Sequence, residues 1–184
     1  MNFSEERLVT RDQFSMAKAK DILGQECIAV LGYGVQAPAQ ALNLRDSGFH
    51  VIIGQRENTP SWHKALEDGW EPGITLFSLE EACVKGTFLC YLLADAGQMQ
   101  FWPTLCKYLT KDKTLLFSHG FALAFSEQTH IFPPENVDVV LLAPKGSGRS
   151  VRSLFLEGKG INASYAIYQD ASGKADEKVK SYGV

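Results

Sequence analysis

The segment that most constrains the fold is Cys27-Ile28-Ala29-Val30-Leu31-Gly32-Tyr33-Gly34-Val35-Gln36-Ala37. Its apolar run ends in Gly-x-Gly-x-x-Ala and passes directly into Pro38-Ala39-Gln40-Ala41-Leu42-Asn43-Leu44-Arg45, whose apolar spacing is helical. Strand, glycine turn and helix in that order are the context in which a dinucleotide fingerprint has physical meaning. Gly32 permits the tight turn, Gly34 lets the backbone approach a pyrophosphate, and Ala37 is small enough for helix–strand packing. The free N–H groups at the helix start would then face the phosphates. A glycine turn that only packs is the plainer alternative, and the flanking strand and helix argue against it.

The rest of the chain agrees with an α/β domain. Strands are expected at 27–32, 50–55, 87–93, 114–118, 137–143 and 164–169, and helices at 14–23, 38–47, 61–68, 79–84, 95–109 and 173–180. Phe88-Leu89-Cys90-Tyr91-Leu92-Leu93 is continuously apolar, as suits a strand covered on both faces of a parallel sheet. Alternation of strands and helices implies a Rossmann-like, doubly wound, mostly parallel sheet with helices on both faces. Residues 1–25 read as an N-terminal arm and 26–184 as one nucleotide-binding domain. The last stretch, Asp170 to Lys180, reads as a turn opening a helix close to the end of the chain, so a further segment is expected after it.

Composition narrows the class of function. With 184 residues, 45% apolar content and a formal charge of −3, the chain has enough length for one substantial core and no basic excess for nucleic acid. No apolar run nears the roughly 20 residues that span a bilayer, and Met1-Asn2-Phe3-Ser4-Glu5-Glu6-Arg7 has no signal-peptide core. A cytoplasmic protein that contacts neither membrane nor nucleic acid is expected. Cys27, Cys83, Cys90 and Cys106 form no Cys-x-x-Cys pair and read as reduced thiols. His50, His63, His119 and His130 show no metal-ligand spacing, so no metal site is expected within the chain.

Cofactor choice turns on the tip of the second strand, Ile52-Ile53-Gly54-Gln55-Arg56. NAD sites place a carboxylate there for the ribose 2′-hydroxyl, whereas this tip offers Arg56, a permanently charged fork suited to a 2′-phosphate. Thr59 and Ser61 add hydroxyls, with Ser61 also placed as a helix cap. Glu57 could pair with Arg56 or repel a phosphate. A solvated loop arginine beside an ordinary cap is the plainer account of these residues; after the glycine turn, NADP(H) is favoured.

Ligands of open α/β sheets lie beyond the carboxyl ends of the strands. Three of those ends carry chemistry. Leu92-Leu93-Ala94-Asp95 places Asp95 as a helix cap or at the cofactor edge. Phe117-Ser118-His119-Gly120 projects His119 toward the crevice, where an imidazole suits proton transfer. Ala143-Pro144-Lys145-Gly146-Ser147-Gly148-Arg149 holds Lys145 near the same place, able to neutralise oxyanion charge or simply to be a surface cation.

Taken in order, these segments resemble the ketol-acid reductoisomerase (acetohydroxyacid isomeroreductase) family, the NADPH enzymes of branched-chain amino-acid synthesis. The resemblance rests on Gly32 to Ala41, Asn43 to Gly48, Gly54-Gln55-Arg56 with Ser61-Trp62, Ser118 to Phe121, Pro144 to Gly148, Val151-Arg152 and Gln169-Asp170. It implies that Gly32, Tyr33, Gly34, Val35 and Gln36 hold the pyrophosphate and that Arg56, Thr59 and Ser61 hold the 2′-phosphate. Asp95 and Gly148 would border the cofactor, and His119 and Lys145 match the family's active-site histidine and lysine. Gln55 departs mildly from the family pattern, and Arg149 stands where His, Thr or Pro is usual. The implied reaction converts 2-acetolactate or 2-aceto-2-hydroxybutyrate to a 2,3-dihydroxy acid, by Mg2+-dependent alkyl migration and NADPH reduction. The family's acidic, all-helical, Mg2+-binding domain has no counterpart in these residues, so the chain corresponds to the cofactor domain and is expected to be inactive alone. Its assembly would be a monomer or a weak homodimer. A stand-alone NADP(H)-binding regulatory or degenerate module is the alternative, and a reductase of the β-hydroxyacid or imine type is a third.

Overall fold

The computed structural model describes residues 8–184; Met1 to Arg7, the start of the expected arm, lie outside the described residues. Seven strands form one sheet in the order β3-β2-β1-β4-β5-β6-β7. They are β1 (Ile28–Leu31), β2 (Val51–Gly54), β3 (Leu76–Phe77), β4 (Phe88–Tyr91), β5 (Thr114–Phe117), β6 (Asp138–Pro144) and β7 (Ala163–Gln169). Pairing is parallel from β3 through to β6, and β7 runs antiparallel beside β6. The direction of winding reverses between β1 and β4, which opens a crevice at their carboxyl ends.

Alternate residues of β1 supply two cores. Ile28 and Val30 pack with residues of α1 (Met16–Leu23), α2 (Ala37–Asp46), α3 (Pro60–Glu67) and α9 (Ala175–Gly183). Ala29 and Leu31 pack on the other face, with residues of α4 (Leu79–Lys85), α5 (Asp95–Leu105) and α6 (Phe121–Ala124). Every residue of β1, β2, β4 and β5 is buried, which is why these strands are apolar without alternation. Phe14, Ala19 and Leu23 are buried in the first of these cores, so α1 shares the interior of the sheet domain.

Four elements were not among those expected from sequence. β3 has only two residues, too few to show a period. α6 and α7 (Ser126–Thr129) are single turns. The segment after Lys145 is not merely a glycine-rich turn: α8 (Gly148–Leu156) starts there, capped by Ser147, whose Oγ accepts the Ser150 N–H at 3.3 Å. The expected helix at 95–109 stops at Leu105 and tightens into a 3-10 turn over Cys106–Tyr108.

Candidate functional site

Gly32 ends β1 with φ +95°, a left-handed conformation that suits glycine, and its N–H donates to Gly54 O at 2.8 Å. A side chain there would also strike Leu93 Cδ2 at 2.9 Å. The chain then rises through Tyr33 to Gln36 into α2. Among the described residues no acceptor within the chain takes the N–H groups of Gly34, Val35 or Gln36. Gly34 is exposed, and a Cβ added to it would meet nothing within 4 Å. The loop therefore presents backbone donors to open space at the start of α2, the polarity that a pyrophosphate requires.

The side chains of this loop have other tasks. Tyr33 is 2% exposed; its phenol donates to Asp68 Oδ2 at 2.9 Å and accepts from Trp70 Nε1 at 2.8 Å. Burial, foremost, pushes that phenol far above its ordinary pKa. Only the main chain of Tyr33 can face a ligand; its side chain ties the loop to the end of α3. Gln36 Nε2 donates to Gly146 O at 3.0 Å, which turns its amide away from the loop and toward the end of β6. Val35 is 83% exposed over the open side.

At the neighbouring tip of β2, Arg56 is exposed and makes no ion pair or side-chain hydrogen bond among the described residues, Glu57 included. Thr59, not Ser61, caps α3: its Oγ1 accepts the Trp62 N–H at 3.2 Å and donates to Arg56 O at 2.8 Å. Ser61 sits in the first turn of α3, and its hydroxyl has no hydrogen-bond partner among the described residues, so it is the freer of the two toward a ligand. Buried Gln55 braces the turn by accepting the Arg56 N–H at 3.0 Å.

Across the crevice, the ends of β4 and β5 bring two expected residues together. His119 Nε2 lies 3.3 Å from Asp95 Oδ1, both side chains about half exposed (50% and 51%). Asp95 does not cap α5, whose N-cap is Ala94. At the end of β6, Lys145 anchors its N–H on Asn162 O at 2.8 Å and leaves its side chain exposed. Gly148 is buried against the glycine loop so tightly that a Cβ would lie 2.2 Å from Val35 O. The structure thus gathers Gly32 to Gln36, Gly148, Asp95 and His119 around one crevice, with Lys145 at its rim and Arg56, Thr59 and Ser61 at the adjoining strand tip. Residues that sequence reasoning missed lie beneath it: Gln40, Ser118 and Tyr182 form a hydrogen-bonded chain.

Residues 22–184 match the family model described as "Acetohydroxy acid isomeroreductase, NADPH-binding domain". The chain belongs to this family. It is 55% identical over 180 residues to the "Ketol-acid reductoisomerase (NAD(+))" of Desulfosudis oleivorans, covering 98% of this chain and 51% of that protein. It is 51% identical over 175 residues to the "Probable ketol-acid reductoisomerase, mitochondrial" of Schizosaccharomyces pombe, covering 95% of this chain and 43% of that one. Among solved structures, an NADH-preferring ketol-acid reductoisomerase from an uncultured archean superposes with a TM-score of 0.86 at 36% identity, over 97% of this chain and 54% of that chain. The chain spans about half the length of the curated relatives it matches. Its fold is that of the family's NADPH-binding domain.

Among the described residues, no three His, Cys, Asp or Glu side chains converge into a metal-binding group, so these residues do not fit the Mg2+ that the family resemblance implies. No helix of the described residues is long and apolar enough to cross a membrane.

Proposed function

We propose that this chain binds NADPH as the reducing half of a ketol-acid reductoisomerase acting on 2-acetolactate or 2-aceto-2-hydroxybutyrate. The observation that carries this reading is the open loop whose N–H groups find no partner among the described residues, at the switch point, with Arg56 likewise unpaired among them at the next strand tip. Bound there, NADPH supplies a hydride. The backbone of Gly34 to Gln36 holds the pyrophosphate, and Arg56 with Ser61 takes the 2′-phosphate, while Thr59 shapes their turn. Asp95 and Gly148 border the cofactor. His119, oriented by Asp95, serves a substrate oxygen, and Lys145 offsets negative charge that develops on it. Mg2+ in this reading is held by acidic residues outside this chain, and a 2-acetohydroxy acid is the only small-molecule partner besides cofactor. A cytoplasmic location belongs to the same reading, as does a monomer or weak homodimer.

NADH is the second reading, because the bacterial relative is named for NAD(+) and the archaeal structure is titled NADH-preferring. Arg56→Ala separates the two. Loss of a charge-assisted bond to the 2′-phosphate should weaken NADPH by about 1–3 kcal/mol and leave NADH nearly unchanged. Equal weakening of both cofactors, measured by fluorescence titration, removes Arg56 from that role.

A further inference from the structure

Gln40 is a buried amide in the middle of α2, 5% exposed, among side chains that are otherwise mostly apolar. A buried amide is costly unless its hydrogen bonds are made, and a methionine or leucine would fill the same space without that demand. Gln40 meets the demand at both ends. Its Nε2 donates to Ser118 Oγ at 3.2 Å, and its Oε1 accepts from Tyr182 Oη at 2.8 Å. Tyr182, on α9, is itself fixed: its ring stacks on Phe88 of β4 with centroids 5.4 Å apart and planes 7° from parallel. Burial, first among the causes, raises the Tyr182 phenol well above its ordinary pKa, so it stays a neutral donor. Ser118 is the residue before His119.

The same face of α2 repeats the arrangement. Gln36, one turn earlier, donates to Gly146 O at 3.0 Å, next to Lys145, and Asn43 Nδ2 donates to Val151 O at 3.3 Å. Residues 36, 40 and 43 lie on one face by helical spacing. Two glutamines of the cofactor helix thus reach the two strand ends that carry His119 and Lys145. Gln40 has a partner at each end of its amide, whereas Gln36 is held through its Nε2 and its buried Oε1 has none among the described residues. Directional contacts of this kind select one geometry where apolar packing would tolerate several.

We propose that Gln40 is a positioning residue for the candidate active site, holding Ser118 and the His119 turn in register with the helix that binds the cofactor. The proposal rests on the reading of the crevice as a dinucleotide site with His119 facing it. Without the Gln40–Ser118 bond, the His119 turn loses its link to α2, while the backbone donors of the glycine loop remain.

The test is NMR on this chain, following the His119 ring Cε1–H resonance, assigned by its disappearance in His119→Asn, during titration with NADPH. In the unmodified chain the resonance shifts as NADPH saturates. In Gln40→Met and in Ser118→Ala that shift should fall by more than half while the NADPH Kd stays within twofold, and Ser118→Thr, which keeps a hydroxyl, should restore it. A full shift in both Gln40→Met and Ser118→Ala overturns the proposal. Ser118→Ala alone decides if Gln40→Met does not fold. An unmodified His119 that ignores NADPH counts against the placement of the cofactor. The cofactor-free amide shifts of Ser118 and His119 then decide the positioning role, which requires both to move in Gln40→Met and is overturned if neither does.

Discussion

Gly148 carries the tightest steric constraint in the crevice. With Val35 O only 2.2 Å from where a Cβ would sit, Gly148→Ala must push α8 away from the glycine loop. Backbone cannot rotate aside as a side chain can, so a cost of about 1–3 kcal/mol in stability is expected, together with weaker NADPH binding. Thermal unfolding and a cofactor titration check both effects. An unchanged titration would mean that the loop does not depend on its contact with α8. The family resemblance gave Gly148 as bordering the cofactor, but its contact with Val35 was not legible, because nothing in the sequence shows that a helix starts there and returns to the loop. Tyr33 shows the opposite limit. Its place in the fingerprint implied a ligand contact, whereas the buried bonds to Asp68 and Trp70 are long-range and leave no periodic trace. Cys90 behaved as its apolar run implied: it is fully buried, and burial, the foremost cause, pushes its thiol up to about 12.

At the scale of elements, the strands that build the crevice were legible because burial on both faces leaves an uninterrupted apolar run. β1, β2, β4 and β5 each match such a run to within a residue or two. α2 was legible from its position after the glycines. β3 and α8 were not: the first is too short for a period, and the second begins with Gly148 after a Pro-Lys-Gly-Ser turn that resembles a loop. α8 is joined to α2 by Arg152, which donates to Asn43 Oδ1 at 2.8 Å and to Asp46 Oδ2 at 2.5 Å. Arg152→Ala removes this clamp and should cost about 1–2 kcal/mol by denaturant titration, since Arg152 is only 24% exposed. A loss near zero would show that apolar packing alone seats α8.

For the whole molecule, the ends of the sheet divide the work. The carboxyl ends form the crevice, while the amino ends hold a buried charge network on the opposite edge of the sheet. Asp138 at the start of β6 is 1% exposed and accepts from Lys178 Nζ at 3.2 Å, from the Ser172 hydroxyl at 2.7 Å and from two backbone N–H groups. Burial pushes the Asp138 carboxyl up, but the bonds from Ser172 and Lys178 outweigh it and hold it below its ordinary value. A carboxylate held below its unfolded pKa of about 3.9 contributes stability that is present above that pH and fades as the pH falls through the lowered folded pKa. Asp138→Ala takes the nearer carboxylate from buried Lys178, which keeps Thr114 Oγ1 at 2.9 Å and the Glu26 carboxylate at 3.8 Å, and should destabilise by about 1–3 kcal/mol at pH 7. The gap to the unmodified protein should close only below about pH 4, as followed by urea unfolding. A gap that persists at pH 2 would place the effect in packing.

The same division predicts that cofactor binding stabilises without reaching the amino ends. At 100 times its Kd, NADPH should add about 2.7 kcal/mol to the unfolding free energy. Without a carboxylate cluster among its described residues, the chain with Mg2+ and NADPH should not turn over 2-acetolactate; turnover by the purified chain would contradict the division of labour proposed for it.

If Arg56 reads the 2′-phosphate, calorimetric titration of the unmodified chain with NADPH and with NADH separates the two cofactors. The NADPH Kd is expected at least tenfold below that for NADH, equivalent to about 1.4 kcal/mol. Equal affinities, or tighter binding of NADH, would contradict that role.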